Sequence, residues 1–179
     1  LRGDAGRVAE VVTDQQTLPA QLVLVSVGVR PSTQLAKDAG LTIGPHGGII
    51  VDEYMRTSDS DIYAGGDCVE SRHMLTKELV FVPLGSTANK HGRVIANHIA
   101  GRPTPFPGIG LSGICKVFDF SVGRTGFTER QARELGLDIE TAVWSGPDRP
   151  HYMTGANPLF IKLVAEKASR KLLGIQVAV

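Results

Sequence analysis

The spacing of apolar residues changes character along this chain, and the changes suggest its organisation. Near the start, Arg7 to Val12 reads as a strand and Asp14-Gln15-Gln16 as a turn. Leu22-Val23-Leu24-Val25-Ser26-Val27 reads as a second, mostly apolar strand. Gly28-Val29-Arg30-Pro31 ends it, because a proline pushes the preceding residue away from helical angles. From Ser32, a good N-cap, the pattern predicts a short helix through Leu35, Ala36 and Ala39, stopped by Gly40. Gly47-Gly48 turns the chain into a strand at Ile49-Ile50-Val51-Asp52. Met55-Arg56-Thr57 continues as an extended arm into the short apolar run Ile62-Tyr63-Ala64. The polar segment from Val69 to Leu79 is a loop or a hairpin. A helix follows from about Thr87 to Ala100, with Ala88, Gly92, Ile95, Ala96 and Ile99 as its buried stripe. Gly92 in that stripe predicts close backbone packing, and Gly101 closes the helix.

Three prolines and a glycine in Arg102-Pro103-Thr104-Pro105-Phe106-Pro107-Gly108 mark a stiff linker. Beyond it the pattern becomes strand-rich. Ile114 to Phe120 is a strand, and Ser121 to Gly126 is its continuation or a second one. Thr128-Glu129-Arg130-Gln131 is a capping box opening a helix that Gly136 ends. Ile139 to Trp144, Pro158 to Ala165 and Lys171 to Val179 are three more strands, the last two joined by a turn at residues 166–170.

The candidate chemistry is concentrated in two stretches. Thr57-Ser58-Asp59-Ser60-Asp61-Ile62-Tyr63-Ala64-Gly65-Gly66-Asp67-Cys68 is a polar turn, a strand, two glycines that admit something bulky, and one carboxylate. An Asp at the end of a buried strand suits a ligand hydroxyl. About twenty residues on, Pro83-Leu84-Gly85-Ser86-Thr87-Ala88-Asn89-Lys90-His91-Gly92-Arg93 reads as a loop feeding a helix start, where free N–H groups favour negative charge. By contrast, Gly108-Ile109-Gly110-Leu111-Ser112-Gly113 spells a dinucleotide fingerprint without the strand before and helix after that it needs, so we reject it.

The totals narrow the field. A net charge of +1 gives no reason to expect nucleic acid or an anionic membrane as partner, and no apolar run is long enough for a spanning helix. The two cysteines, Cys68 and Cys115, have no metal or redox spacing and read as small buried residues in a reducing, cytoplasmic setting. His91 and His98 lie seven apart without a carboxylate at ligand spacing. They read as a solvent-facing pair, so no metal site is expected. Lys90 and Arg93 read as exposed. The chain opens without Met and stops within the apolar run Leu172 to Val179, which reads as a piece of a longer protein.

Together the two stretches resemble the flavin-binding second half of the pyridine nucleotide-disulfide oxidoreductases, within the group of coenzyme A-disulfide reductases, NADH oxidases and persulfide reductases. The resemblance implies an α/β fold, the C-terminal part of an FAD- and NAD(P)-linked reductase, followed by an α+β dimerisation domain. Residues 1–31 would be the tail of the NAD(P)H-binding domain, 32–103 the end of the FAD-binding domain, and 104–179 a truncated dimerisation domain. It implies FAD held by Gly66 and Asp67, with Ser86, Thr87 and Ala88 against the flavin, and NADH or NADPH as co-substrate. It further implies a homodimer through residues after Gly113. The redox cysteine, upstream of this chain, would reduce a small-molecule disulfide, a persulfide or an oxygen species. It places no catalytic residue here except Tyr152, in His151-Tyr152-Met153-Thr154-Gly155, where the related enzymes often carry Tyr-Tyr-Pro-Gly. Tyr152 is then either a substrate-side phenol or an interface packing residue. A non-catalytic assembly module is the alternative function.

Overall fold

The computed structural model describes all of residues 1–179, in two compact units, Leu1–Arg30 and Pro31–Val179. The first is a three-stranded antiparallel meander of β1 (Arg2–Asp4), β2 (Arg7–Val12) and β3 (Thr17–Pro19). The strand expected at 22–27 is absent: that stretch is irregular and open, with Leu22 and Leu24 each 86% exposed. No partner strand lies beside it in its unit. Its backbone groups therefore have no ladder to join, whatever its β propensity.

In the second unit, α1 (Gln34–Asp38) starts after Thr33 rather than Ser32, and Gly40 adopts the left-handed conformation that ends it. A small sheet pairs β4 (Ile49–Ile50) in parallel with β5 (Val69–Arg72), which pairs antiparallel with β6 (Leu79–Val80). The polar segment after Asp67 is thus a hairpin. Ala36, Ile49 and Val69 form its core. At its centre the Glu70 side chain is fully buried, and its Oε1 accepts the backbone N–H of His46 at 2.8 Å and of Gly48 at 3.1 Å. A carboxylate in that place ties the 44–48 turn to the sheet.

Helix α2 (Gly85–Ile99) is followed by residues 102–108, which form no regular element, as their prolines dictate. They are nevertheless fastened: the Phe106 N–H bonds the Glu53 carbonyl, and the Ile109 N–H bonds the Arg72 carbonyl. The buried face of α2 is Thr87, His91 and Val94, one residue away from the expected stripe. Gly92 meets open space rather than a close neighbour, and Ile99 is exposed.

The remainder is a five-stranded antiparallel sheet in the order β7 (Gly113–Val117), β8 (Phe120–Gly126), β11 (Leu172–Ala178), β10 (Pro158–Glu166), β9 (Ile139–Pro147). Helix α3 (Glu129–Glu134) has the expected capping box of Thr128 and Gln131. It closes a core of Phe127, Ala132, Ile139, Val164 and Leu173. Lys162 reaches Glu129, and the Gln176 side chain donates to the Phe127 carbonyl, so alternate residues of β10 and β11 face α3. Their neighbours Ile161, Leu163, Ile175 and Val177, with Trp144 and Ile114 in register, lie on the opposite face, where Ile114, Trp144 and Leu163 are exposed. Ile114 is 82% exposed. Cys115 is exposed as well, contrary to expectation, because β7 is the edge of the sheet. No helix is long and apolar enough to cross a membrane.

Removing the Glu70 carboxylate strands the buried Gly48 N–H and the partly buried His46 N–H, so Glu70→Ala is expected to lower the unfolding free energy by about 2 kcal/mol. Glu70→Gln keeps an acceptor and should lose about half as much. Urea unfolding of the two variants beside the wild type checks this; equal stability of all three would remove Glu70 as the tie.

Candidate functional site

The run 57–68 is built as a tight loop. Its entry is closed by the Thr57 hydroxyl and the Asp59 carboxylate, which accept the N–H groups of Asp59 and Asp61. The Thr57 and Ala64 amides donate to the Ile62 and Met55 carbonyls, and Arg56 bridges Tyr63. This single bridge replaces the expected strand at 62–64. Met55 sits at φ 67°, a left-handed conformation that takes the facing arm out of extended geometry and stops a longer ladder.

Past Ala64 the chain meets α2 at very short range. A methyl group on Gly65 would stand 3.0 Å from His91 Cβ and 3.1 Å from Ile95 Cδ1, close enough that those side chains would have to shift. Gly66 turns through φ +85°, and a methyl group there would lie 3.6 Å from Ala88 Cβ. Two of the expected residues, Gly66 and Ala88, are therefore neighbours. Asp67 follows on the surface with no hydrogen bond or ion pair to its carboxylate, which is free to accept from a ligand.

The start of α2 is equally open. Leu84 is the N-cap and offers no side-chain cap; its carbonyl takes the amides of Thr87 and Ala88, leaving those of Gly85 and Ser86 unpaired. Two free N–H groups at the positive end of a 15-residue helix suit a partly anionic group. Ser86 is exposed, Ala88 is half-buried, and the Thr87 side chain turns into the protein. Lys90 and Arg93 are exposed, as expected.

The histidines differ from the expectation. His91 is only 1% exposed and lies under the glycine turn. Its Nδ1 takes the Gly66 N–H at 3.1 Å, its Nε2 is 3.3 Å from Ser71 Oγ, and the Phe106 ring meets it edge-on at 4.6 Å. Burial pushes its pKa below the usual imidazole value, and the Asp67 charge opposes that shift. His98 is half-buried: Tyr63 Oη lies 2.7 Å from its Nδ1, and Tyr54 packs on the ring. A histidine in a helix reads as polar by composition, yet 87, 91 and 94 share the i, i+4, i+7 spacing that could have revealed the buried side. Cys68 is half-buried and donates to the Gly65 carbonyl at 3.4 Å.

Tyr152 lies elsewhere, in the loop joining β9 to β10, and is 86% exposed. The loop is shaped by Asp148, which accepts from Arg149 Nη2 at 2.8 Å and from the Asn157 amide at 3.0 Å. The Arg149 side chain, and then the Asn157 amide, hold the Asp148 carboxyl below its ordinary pKa.

The chain is similar to known proteins over most of its length. The sequence pattern of the family described as pyridine nucleotide-disulphide oxidoreductase matches residues 1–81, and that of the same family's dimerisation domain matches residues 113–178. An NAD(P)H coenzyme A polysulfide/persulfide reductase of Pyrococcus horikoshii is 40% identical over 96% of this chain, which spans only 38% of that relative. An NADH oxidase of Enterococcus faecalis is 33% identical over 97% of the chain and 39% of its own length. The solved NAD-dependent persulfide reductase from A. fulgidus superposes with a TM-score of 0.85 at 47% identity, over 91% of this chain and 30% of its own. The chain thus spans well under half of the relatives it matches. By sequence over both its parts and by fold, it belongs to the pyridine nucleotide-disulphide oxidoreductases.

Proposed function

We propose that this chain forms the ribityl and pyrimidine side of the flavin pocket, and the dimer-forming end, of an FAD-dependent NAD(P)H oxidoreductase that reduces a disulfide, persulfide or oxygen species. The observation that carries the reading is the seating of Gly66, the residue before Asp67, against Ala88 in the first turn of α2, a helix whose Gly85 and Ser86 amides are unpaired. These residues fit FAD. The glycines keep the approach open, and the free Asp67 carboxylate can accept a hydrogen bond from a ribityl hydroxyl. The Gly85 and Ser86 amides can hold negative charge at the pyrimidine edge, and Ser86 and Ala88 wall that edge, with the Thr87 side chain turned away from it. When bound, FAD supplies the transfer of two electrons from reduced nicotinamide towards the acceptor. The protein supplies position and electrostatics. Tyr152, on an exposed loop, is available either to a substrate or to a partner subunit. Both cysteines are free thiols, which supports a cytoplasmic setting. A non-catalytic assembly module is the competing reading. It accounts for the exposed sheet face but leaves the meeting of Gly66 and α2 without a purpose.

Two outcomes are expected. In the full-length flavoprotein, Asp67→Ala should lose a charge-assisted hydrogen bond of roughly 1.5–3 kcal/mol and weaken FAD binding about 10- to 100-fold. Asp67→Asn should lose less. Flavin titration of the apoprotein decides the matter, and wild-type affinity in both variants would reduce Asp67 to a turn residue.

The second outcome concerns association. The face on which Ile114, Trp144 and Leu163 are exposed should drive self-association of this chain, and Ile114→Glu should weaken it. Sedimentation at about 100 μM tests this, a concentration at which exposed apolar surface associates readily. A monodisperse wild-type monomer would count against the homodimer.

A further inference from the structure

The hydrogen bonds of His91 fix more than its place in the core. A backbone amide can only donate, so the Gly66 N–H at 3.1 Å requires an unprotonated Nδ1. The neutral ring then carries its proton on Nε2 and donates it to Ser71 Oγ at 3.3 Å. One ring thereby joins three elements: α2, the Gly65-Gly66 turn that delivers Asp67, and β5, where Ser71 sits. Phe106 closes the fourth side. We propose that His91 is a positioning residue for the flavin site, holding the Gly66-Asp67 turn at the start of α2 by accepting the Gly66 amide as a neutral Nε2–H ring.

The inference rests on the reading of Asp67 as the ribityl ligand. Without the acceptor, the Gly66 amide has no other partner in the protein, and the left-handed turn next to Asp67 loses the only side chain bonded to its backbone N–H. The same bond forbids a charged ring, since protonated Nδ1 would point a hydrogen at the amide's own. Of the elements packed on the ring, the turn brings one charged group, Asp67, while β5 and the proline stretch bring the uncharged Ser71 and Phe106. Lys90 beside it and Arg93 two residues on point to solvent. Burial outweighs the Asp67 charge, so the folded ring resists protonation. As pH falls below about 6.5 the unfolded chain takes up the proton first, and the stability held by the neutral ring is progressively lost.

The test uses the deflavinated full-length protein and FAD titration at pH 7.5, with His91→Leu, His91→Gln and Asp67→Ala, at a temperature where melting curves show each folded. His91→Leu keeps the apolar volume but removes the acceptor, and should weaken FAD binding about tenfold, the worth of one buried hydrogen bond. His91→Gln restores both an acceptor and a donor and should stay within about threefold of wild type. The inference is overturned if His91→Leu binds FAD as the wild type does, or if His91→Gln is no better than His91→Leu. Should the leucine variant not fold, nitrogen-15 NMR of the wild-type chain reads the tautomer directly: Nε2–H is expected, and Nδ1–H overturns the assignment. Wild-type affinity in Asp67→Ala would instead sink the flavin reading of Asp67, while the tautomer measurement would still judge His91.

Discussion

Everything proposed for this chain depends on how closely a helix can approach a turn. Helix α2 rests on Gly65 so closely that a side chain there would force His91 and Ile95 to shift, and Gly66 beside it turns through a left-handed angle that side chains rarely adopt. The two glycines are therefore a packing and a backbone-angle requirement before they are a ligand-binding feature. The approach sets Gly66 against Ala88, in the same first turn of α2 as the unpaired amides of Gly85 and Ser86. Backbone N–H donors fixed at a helix start cost a ligand little reorganisation.

The small sheet beneath explains why that backbone is rigid. Glu70 ties the 44–48 turn to β5, and Ser71, the next residue, meets the His91 ring. Consecutive side chains of one strand point to opposite faces, so one short strand anchors a turn on one side and the helix on the other. The site is held from below by polar contacts within a small apolar core of Ala36, Ile49 and Val69.

Much of this was legible in the sequence, for identifiable reasons. Gly-Gly-Asp followed by a helix start, the Thr128 capping box and the three long strands are local signals, read from neighbours in the chain. What escaped depends on distant partners. Leu22 to Val27 has every intrinsic mark of a strand, but its unit offers it no strand to pair with. Residues 62–64 fell short of a strand because Met55, on the facing arm, turns left-handed, which its side chain does not advertise. The stripe of α2 was misplaced by one position because histidine was counted as a surface residue. Its ring is apolar on its faces and needs only two partners to be buried, and the chain supplies both from sites 20 and 25 residues away. Cys115 fits a core by type, yet it sits on an edge strand.

The proline-rich stretch after α2 has a consequence for how the two halves of the larger unit can diverge. Phe106 is seated on His91 while its amide is bonded to Glu53, and the Ile109 amide is bonded to Arg72. With three prolines fixing their own backbone angles, the distance from the end of α2 to the first strand of the large sheet is set as by a ruler. An added or deleted residue could not be absorbed as slack, as it would be in a glycine-serine tether. It would have to lift the aromatic ring from the histidine or shift the sheet, so the length of this segment is as much a part of the site as its chemistry.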